Sequence, residues 1–282
     1  MRTVAKYSLL FMAYCVTFIL PAILLPVSVP LKESGSSMEV AFPVVMLVNF
    51  AIIMYLIHRS ASRGMKLCFY IILIFWGLQT GMTQIETWYF RNAMPGINDQ
   101  ELINLFIRPL ITLVIFVPIA VRITGKWNGT NERRPQMIAP WKSIGLLALL
   151  YVAIYFVFGY YVAWQFEAIR VFYSGSAMKA GFIEVLRHTA ITTPGLFSLQ
   201  LLRGLLYAMM GVMLIQQLNG GNSEKLIALT LLYALLPSIL LILSNPFMPP
   251  DVRWGHLVEL TTSNGLFGSL IGIAGVRQQL IR

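Results

Sequence analysis

The sequence predicts an all-α integral membrane protein with eight transmembrane helices, both termini cytoplasmic, and a polar layer in the outer half. Three observations carry that prediction. Of 282 residues, 57% are hydrophobic and only 11% charged, against about 25% charged in a soluble domain. Apolar runs of about 20 residues, the length that spans a hydrocarbon core, recur along the whole chain. Lysine and arginine alternate in density from one connection to the next, as the positive-inside rule requires.

The expected spans are 7–29, 40–58, 67–90, 103–122, 143–165, 195–218, 226–244 and 255–276. Within lipid each must be helical, because no water is there to satisfy the backbone. The first run has 23 residues, longer than the roughly 7–15 of a signal-peptide core, so it reads as a retained span. The first outer connection, Leu-Lys-Glu-Ser-Gly-Ser-Ser-Met-Glu, is a short polar turn. The connection 123–142 is basic and rich in Gly, Asn and Pro; it reads as a solvated inner loop, and its Asn-Gly-Thr sequon at 128–130 falls on the inner face. The longest connection, 166–193, reads as an outer-surface segment. It breaks at Ser174-Gly175-Ser176. Residues 177–188 then form a short amphipathic helix, with Met178, Phe182, Val185 and Leu186 on one face. Such a helix lies on the membrane surface or folds back as a lid. Prolines 21, 26, 43, 109, 118 and 237 fall in spans, where kinks are tolerated.

With the N-terminus inside, thirteen Lys and Arg fall in inner segments and six in outer ones, while Arg108 and Arg203 lie within spans. The inner acids are Glu132 and Glu224 alone. The formal charge of +10 is thus an orientation signal and an attraction to anionic headgroups on the cytoplasmic side, not a nucleic-acid footprint. Short loops with this bias suit a plasma (inner) membrane. Aromatic residues mark the same boundaries, with Trp88, Trp164 and Trp254 at outer span ends and Trp127 and Trp141 at inner ones. The two cysteines, Cys15 and Cys68, sit in or against the bilayer and read as apolar fillers.

The strongly polar side chains within the spans cluster towards the outer face. The third span carries Gln79, Thr83, Gln84 and Glu86; the fourth carries Arg108, the sixth Arg203, and the eighth His256, Glu259, Ser263 and Asn264. Gln79, Thr83 and Glu86 share one helix face, as do His256, Glu259 and Ser263. A charge at a helix centre costs about 2.5–3.5 kcal/mol even on insertion scales. Two carboxylates and two guanidiniums at similar depth can neutralise one another, and Arg offers a bidentate fork for doing so. The expectation is that Glu86, Arg108, Arg203 and Glu259, with His256, Gln79, Thr83, Gln84 and Asn264, line one outward-facing polar cavity.

Each residue also has a plainer role. Glu86 suits an interfacial salt bridge, Arg108 can snorkel outward, His256 sits at the interface beside Trp254, and Ser263 and Asn264 suit interhelical hydrogen bonds. Gly77 with Gly81, and Gly268 with Gly272, make two Gly-x-x-x-Gly faces. These suit close helix packing within the chain or in a homo- or hetero-oligomer.

There is no zinc-protease, phosphate-loop or Gly-x-Ser-x-Gly motif. No metal and no cofactor is expected. Three functional classes remain. One is a transporter or permease-like protein binding a small or amphiphilic anion through its arginines, with Glu86, His256 and Glu259 carrying protons. Another is a membrane-embedded enzyme acting on a lipid-linked or amphiphilic substrate at the outer leaflet. The last is a non-catalytic sensor or assembly partner.

Overall fold

The structure, a computed structural model, describes residues 2–26, 37–94, 96–130 and 141–280, with side chains for all of these except 2, 37–39 and 276–280. The polar turn of the first outer connection falls largely outside the described residues, as do Glu132, Arg133 and Arg134 of the basic connector. All regular elements among the described residues are helices. Seven of them are long and apolar enough to cross a membrane.

Two compact units divide the chain. The first comprises Met1–Pro135, Gln217–Gly220 and Leu243–Phe247; the second comprises Gln136–Gln216, Gly221–Ile242 and Met248–Arg282.

In the first unit, α1 is Arg2–Leu24 and α2 is Ser37–Arg59. α1 stops just before Pro26, since a residue preceding proline is pushed out of the α region. α3 (Gly64–Trp76) runs through a π turn at Gly77–Gly81 into α4 (Met82–Tyr89). α5 is Asp99–Ile123. It starts four residues before the expected span because the Asn98 side chain accepts the Glu101 amide at 2.8 Å, an N-cap that satisfies one of the first turn's free donors. These helices close on an aromatic core in which Tyr14 meets Phe116 at 5.0 Å and Phe11 meets Phe50 at 5.3 Å between ring centroids. Edge-on pairs of this kind contribute about 0.5–1.5 kcal/mol beyond area burial.

In the second unit, α6 is Trp141–Tyr161, α7 Glu167–Ser174, α8 Phe182–Thr192, α9 Gly195–Gln217, α10 Asn222–Leu235 and α11 Pro250–Leu280. Glycines set the packing. A Cβ on Gly268 would lie 2.5 Å from the Leu229 carbonyl oxygen, and one on Gly272 would lie 2.7 Å from Leu226, so the glycine face of α11 is filled by α10. A Cβ on Gly204 of α9 would lie 2.9 Å from the Ala148 carbonyl oxygen of α6. The other glycine pair, Gly77 and Gly81, brackets the π turn.

Two expectations need correction. The stretch 226–244 is not one long helix. α10 has 14 residues, and a 3-10 turn follows at Ile239–Ile242. Pro237 is the cause, lacking an N–H and clashing with the preceding turn. The backbone tightens there, with the Ser238 amide donating to Leu235 at 3.2 Å and the Leu241 amide to Ser238 at 2.9 Å. By length and composition, seven helices among the described residues are long enough to cross a membrane, and the stretch 226–244 is not one of them. The outer segment also holds two helices where one was expected. α7 ends at Ser174 on Gly175, whose φ of 70° is the left-handed helix stop. α8 begins at Phe182, after an extended Gly181, and not at residue 177.

Candidate functional site

Each unit carries its own polar cluster. In the first, the π turn widens the helix between Gly77 and Gly81 and buries Gln79 and Thr80 inside it. Such single π turns concentrate at functional positions. The Gln79 amide donates to Asn49 Oδ1 at 2.9 Å, and the Tyr14 hydroxyl reaches the same Asn49 side chain. Thr83 returns its hydroxyl to the Gln79 carbonyl at 3.2 Å. A small recess of about 10 Å³ lies among Tyr14, Phe18, Phe75, Gln79, Pro109, Thr112 and Leu113. That is room for about one water molecule, far below the roughly 300–1,000 Å³ of sites for drug-sized ligands.

Arg108 stands nine residues into α5, about 13 Å along it at the helical rise. Its Nε and Nη2 are inaccessible to solvent and have no hydrogen-bond partner. Glu101, two turns earlier on the same helix, interacts with it electrostatically and is itself only 1% exposed. Gln84 Oε1 and Thr80 Oγ1, on the neighbouring π turn and α4, are likewise buried without a hydrogen-bond partner. Glu86 lies near the end of α4 and is part-buried.

The second cluster sits on α11. His256 Nδ1 lies 3.4 Å from Glu259 Oε2, and the Tyr173 hydroxyl of α7 lies 3.2 Å from His256 Nε2. Both contacts are long, and their order is chemically definite. With neutral imidazole, the Glu259 carboxylate selects the Nδ1–H tautomer, which leaves Nε2 as the acceptor for the Tyr173 hydroxyl. Gly255 permits this arrangement, because a Cβ there would lie 2.6 Å from Ile169 and hold α7 away. Arg170 fixes α7 from the other side. It is buried, and it donates to the carbonyls of Ala177 (2.8 Å), Trp164 (2.7 Å) and Gln165 (3.1 Å).

Arg203 of α9 is 2% exposed. Its Nη1 donates to Gln200 Oε1 at 2.7 Å, and its guanidinium carbon lies 5.8 Å from the Tyr151 ring centre. That combination of amide and aromatic face is how a cation is accommodated in a low-dielectric interior. Asn264 donates to the Leu260 carbonyl at 3.0 Å, and its Oδ1 is buried without a hydrogen-bond partner.

The residues expected to share one cavity thus divide between the units. Gln79, Thr83, Gln84, Glu86 and Arg108 belong to the first; Arg203, His256, Glu259 and Asn264 belong to the second. Three participants were not singled out from the sequence. Asn49 left a signal, a single amide inside the apolar run of the second span. Glu101 left one too, since Asn98 followed by an acid three positions on marks a helix start. Tyr173 left none, as its role depends on α7 packing against α11. Compared with known protein families, curated proteins and solved structures, the chain matches none.

Proposed function

We propose that this multi-pass membrane protein is permease-like, binding a small or amphiphilic anion within the bilayer and moving it together with a proton. The observation that carries the reading is Arg108. A guanidinium with two nitrogens buried and unbonded is costly, the more so in a membrane. A carboxylate or phosphate oxygen pair answers both nitrogens at once. Glu101 beside it offsets the charge in the empty state and is displaced electrostatically when an anion arrives. The Tyr173–His256–Glu259 chain supplies the proton-handling group, since imidazole is the side chain that exchanges protons near neutral pH. Arg203, already hydrogen-bonded to Gln200 and placed 5.8 Å from the Tyr151 ring centre, is assigned to holding the second unit together.

The test is flux. Proteoliposomes loaded with a pH-sensitive dye are exposed to gradients of carboxylate and phosphate anions. Wild-type protein is expected to acidify the lumen with at least one anion, and Arg108→Met and Glu259→Gln to abolish the signal while remaining folded. Flux from neither wild type nor variants across the panel would sink the reading.

A membrane-embedded enzyme at the outer leaflet is the second reading. One feature favours it: a carboxylate orienting an imidazole that in turn accepts from a hydroxyl is also the order used in general-base catalysis. Turnover of a lipid-linked substrate without anion flux, lost in His256→Gln, would choose it over the first.

A further inference from the structure

Basic side chains gather at one end of the first unit, while Arg91, paired with Asp99, and Arg108, near Glu101, lie at the other. Lys6 near the start of α1, His58 and Arg59 at the end of α2, Lys66 in the first turn of α3 and Arg122 in the last turn of α5 share one end. The acids of these helices, Glu39, Glu86, Asp99 and Glu101, fall at the other end.

The basic end is a built structure. The chain after α5 reverses at Gly125, φ 79°, and the Lys126 ammonium donates to the Ser60 carbonyl at 3.1 Å. The Gly64 amide donates to the Lys126 carbonyl at 3.0 Å, and Arg63 Nη1 to the Asn128 carbonyl at 3.2 Å. Gly64 itself has φ 59°, and a Cβ there would lie 2.9 Å from the Trp127 carbonyl oxygen. The loop between α2 and α3 and the loop after α5 are thereby locked together. The lock places the Arg122 guanidinium over the Trp127 ring at 4.4 Å, with Arg122 still exposed to its surroundings.

Apolar surface continues from both cations. Exposed Met65 and Phe69 flank Lys66 on α3, and exposed Ile119 and Ile115 run along α5 from Arg122. A soluble anion has no use for those stripes. A phospholipid uses both parts, its phosphate on the cations and its acyl chains along the apolar side chains.

We propose that this end of the first unit is a binding site for an anionic phospholipid. The headgroup phosphate is held by Arg122, braced on Trp127, and by Lys66, while Arg63 and Lys126 maintain the loops that set the distance. The site is independent of the anion-binding role assigned to Arg108.

The test is lipid retention by native mass spectrometry after extraction from nanodiscs of phosphatidylglycerol and phosphatidylcholine. Wild-type protein is expected to retain phosphatidylglycerol selectively. The double variant Arg122→Gln/Lys66→Gln should lose about 30-fold in that retention, the effect of two cations at an anionic surface. Lys142→Gln/Lys179→Gln removes the same charge elsewhere and should leave retention within about twofold. Equal losses in both variants would overturn the proposal, as would equal retention of the zwitterionic lipid. Displacement of the lipid by millimolar inorganic phosphate would overturn the lipid assignment in favour of a soluble anion. Trp127→Leu serves as a second variant in case the double variant unfolds. It keeps both charges, removes the brace, and should weaken retention by a smaller factor.

Discussion

Arg170 shows how one side chain organises the outer segment. Its guanidinium serves three backbone carbonyls, at Trp164, Gln165 and Ala177, that no helix satisfies. Hydrogen bonds from a charged donor are worth about 1.5–3 kcal/mol each, and orphaned acceptors add to the loss. Arg170→Met should therefore lower unfolding stability by about 2–4 kcal/mol, measured by denaturant titration in detergent, because water recovers part of what is lost. A change under about 0.5 kcal/mol, the range of an ordinary surface substitution, would show that the staple does not bear on stability. In the sequence Arg170 is simply one cation of the outer connection 166–193, since nothing local announces a buried arginine in a connection. The polar positions inside spans were legible for the opposite reason. In 57% hydrophobic sequence, Arg108, Arg203 and Glu259 stand out against a background that excludes charge.

At the scale of elements, the pair α10–α11 rests on absent side chains. Gly268 leaves no room for a Cβ between itself and Leu229 or Tyr233, whereas Gly145 of α6 has nothing within 4 Å of where its Cβ would be. Gly268→Ala should destabilise by about 1–3 kcal/mol through overpacking. Gly145→Ala should be neutral or gain up to about 1 kcal/mol from helix propensity. Thermal unfolding of the two variants checks this directly, and a neutral Gly268→Ala would mean that the helices are not held as closely as described. The glycine spacing was visible in the sequence, but not its partner. Gly-x-x-x-Gly states that something approaches closely, and the approaching surface, Leu226 and Leu229 on α10, carries no signature of its own. The π turn was equally hidden. Gly77-Leu-Gln-Thr-Gly81 reads as ordinary helix, and the extra residue in the turn appears only once Gln79 has to reach Asn49.

At the scale of the whole molecule, the stretch 226–244 decides the number of crossings. α10 with 14 residues covers about 21 Å at the helical rise, and the 3-10 turn after Pro237 adds about 8 Å. Together they approach the roughly 30 Å of a hydrocarbon core. The stretch is therefore expected to cross as a broken helix, which with the seven long helices makes an even count and puts both termini on the basic, cytoplasmic side. Reporter fusions after residue 282, with thiol labelling of cysteines introduced at 178 and 128, test this. The C-terminus and residue 128 should be inside and residue 178 outside. A C-terminus outside would mean that α10 turns back within the membrane. The membrane character and helical class were legible because composition and run length are bulk properties that no single residue can mask. The broken span was mistaken for a continuous one because hydropathy averages over Pro237 without registering the lost hydrogen bond.

Arg108 is the proposed seat of a bound anion. The direct measurement is the unfolding temperature of detergent-solubilised protein across a concentration series of decanoate, with decanol as the neutral control. A ligand that binds only the folded state stabilises it in proportion to the logarithm of its concentration over its dissociation constant. Wild-type protein is predicted to rise in unfolding temperature with decanoate and not with decanol, and Arg108→Met to respond to neither. An equal response to decanoate in wild type and Arg108→Met, or none in wild type, would contradict it.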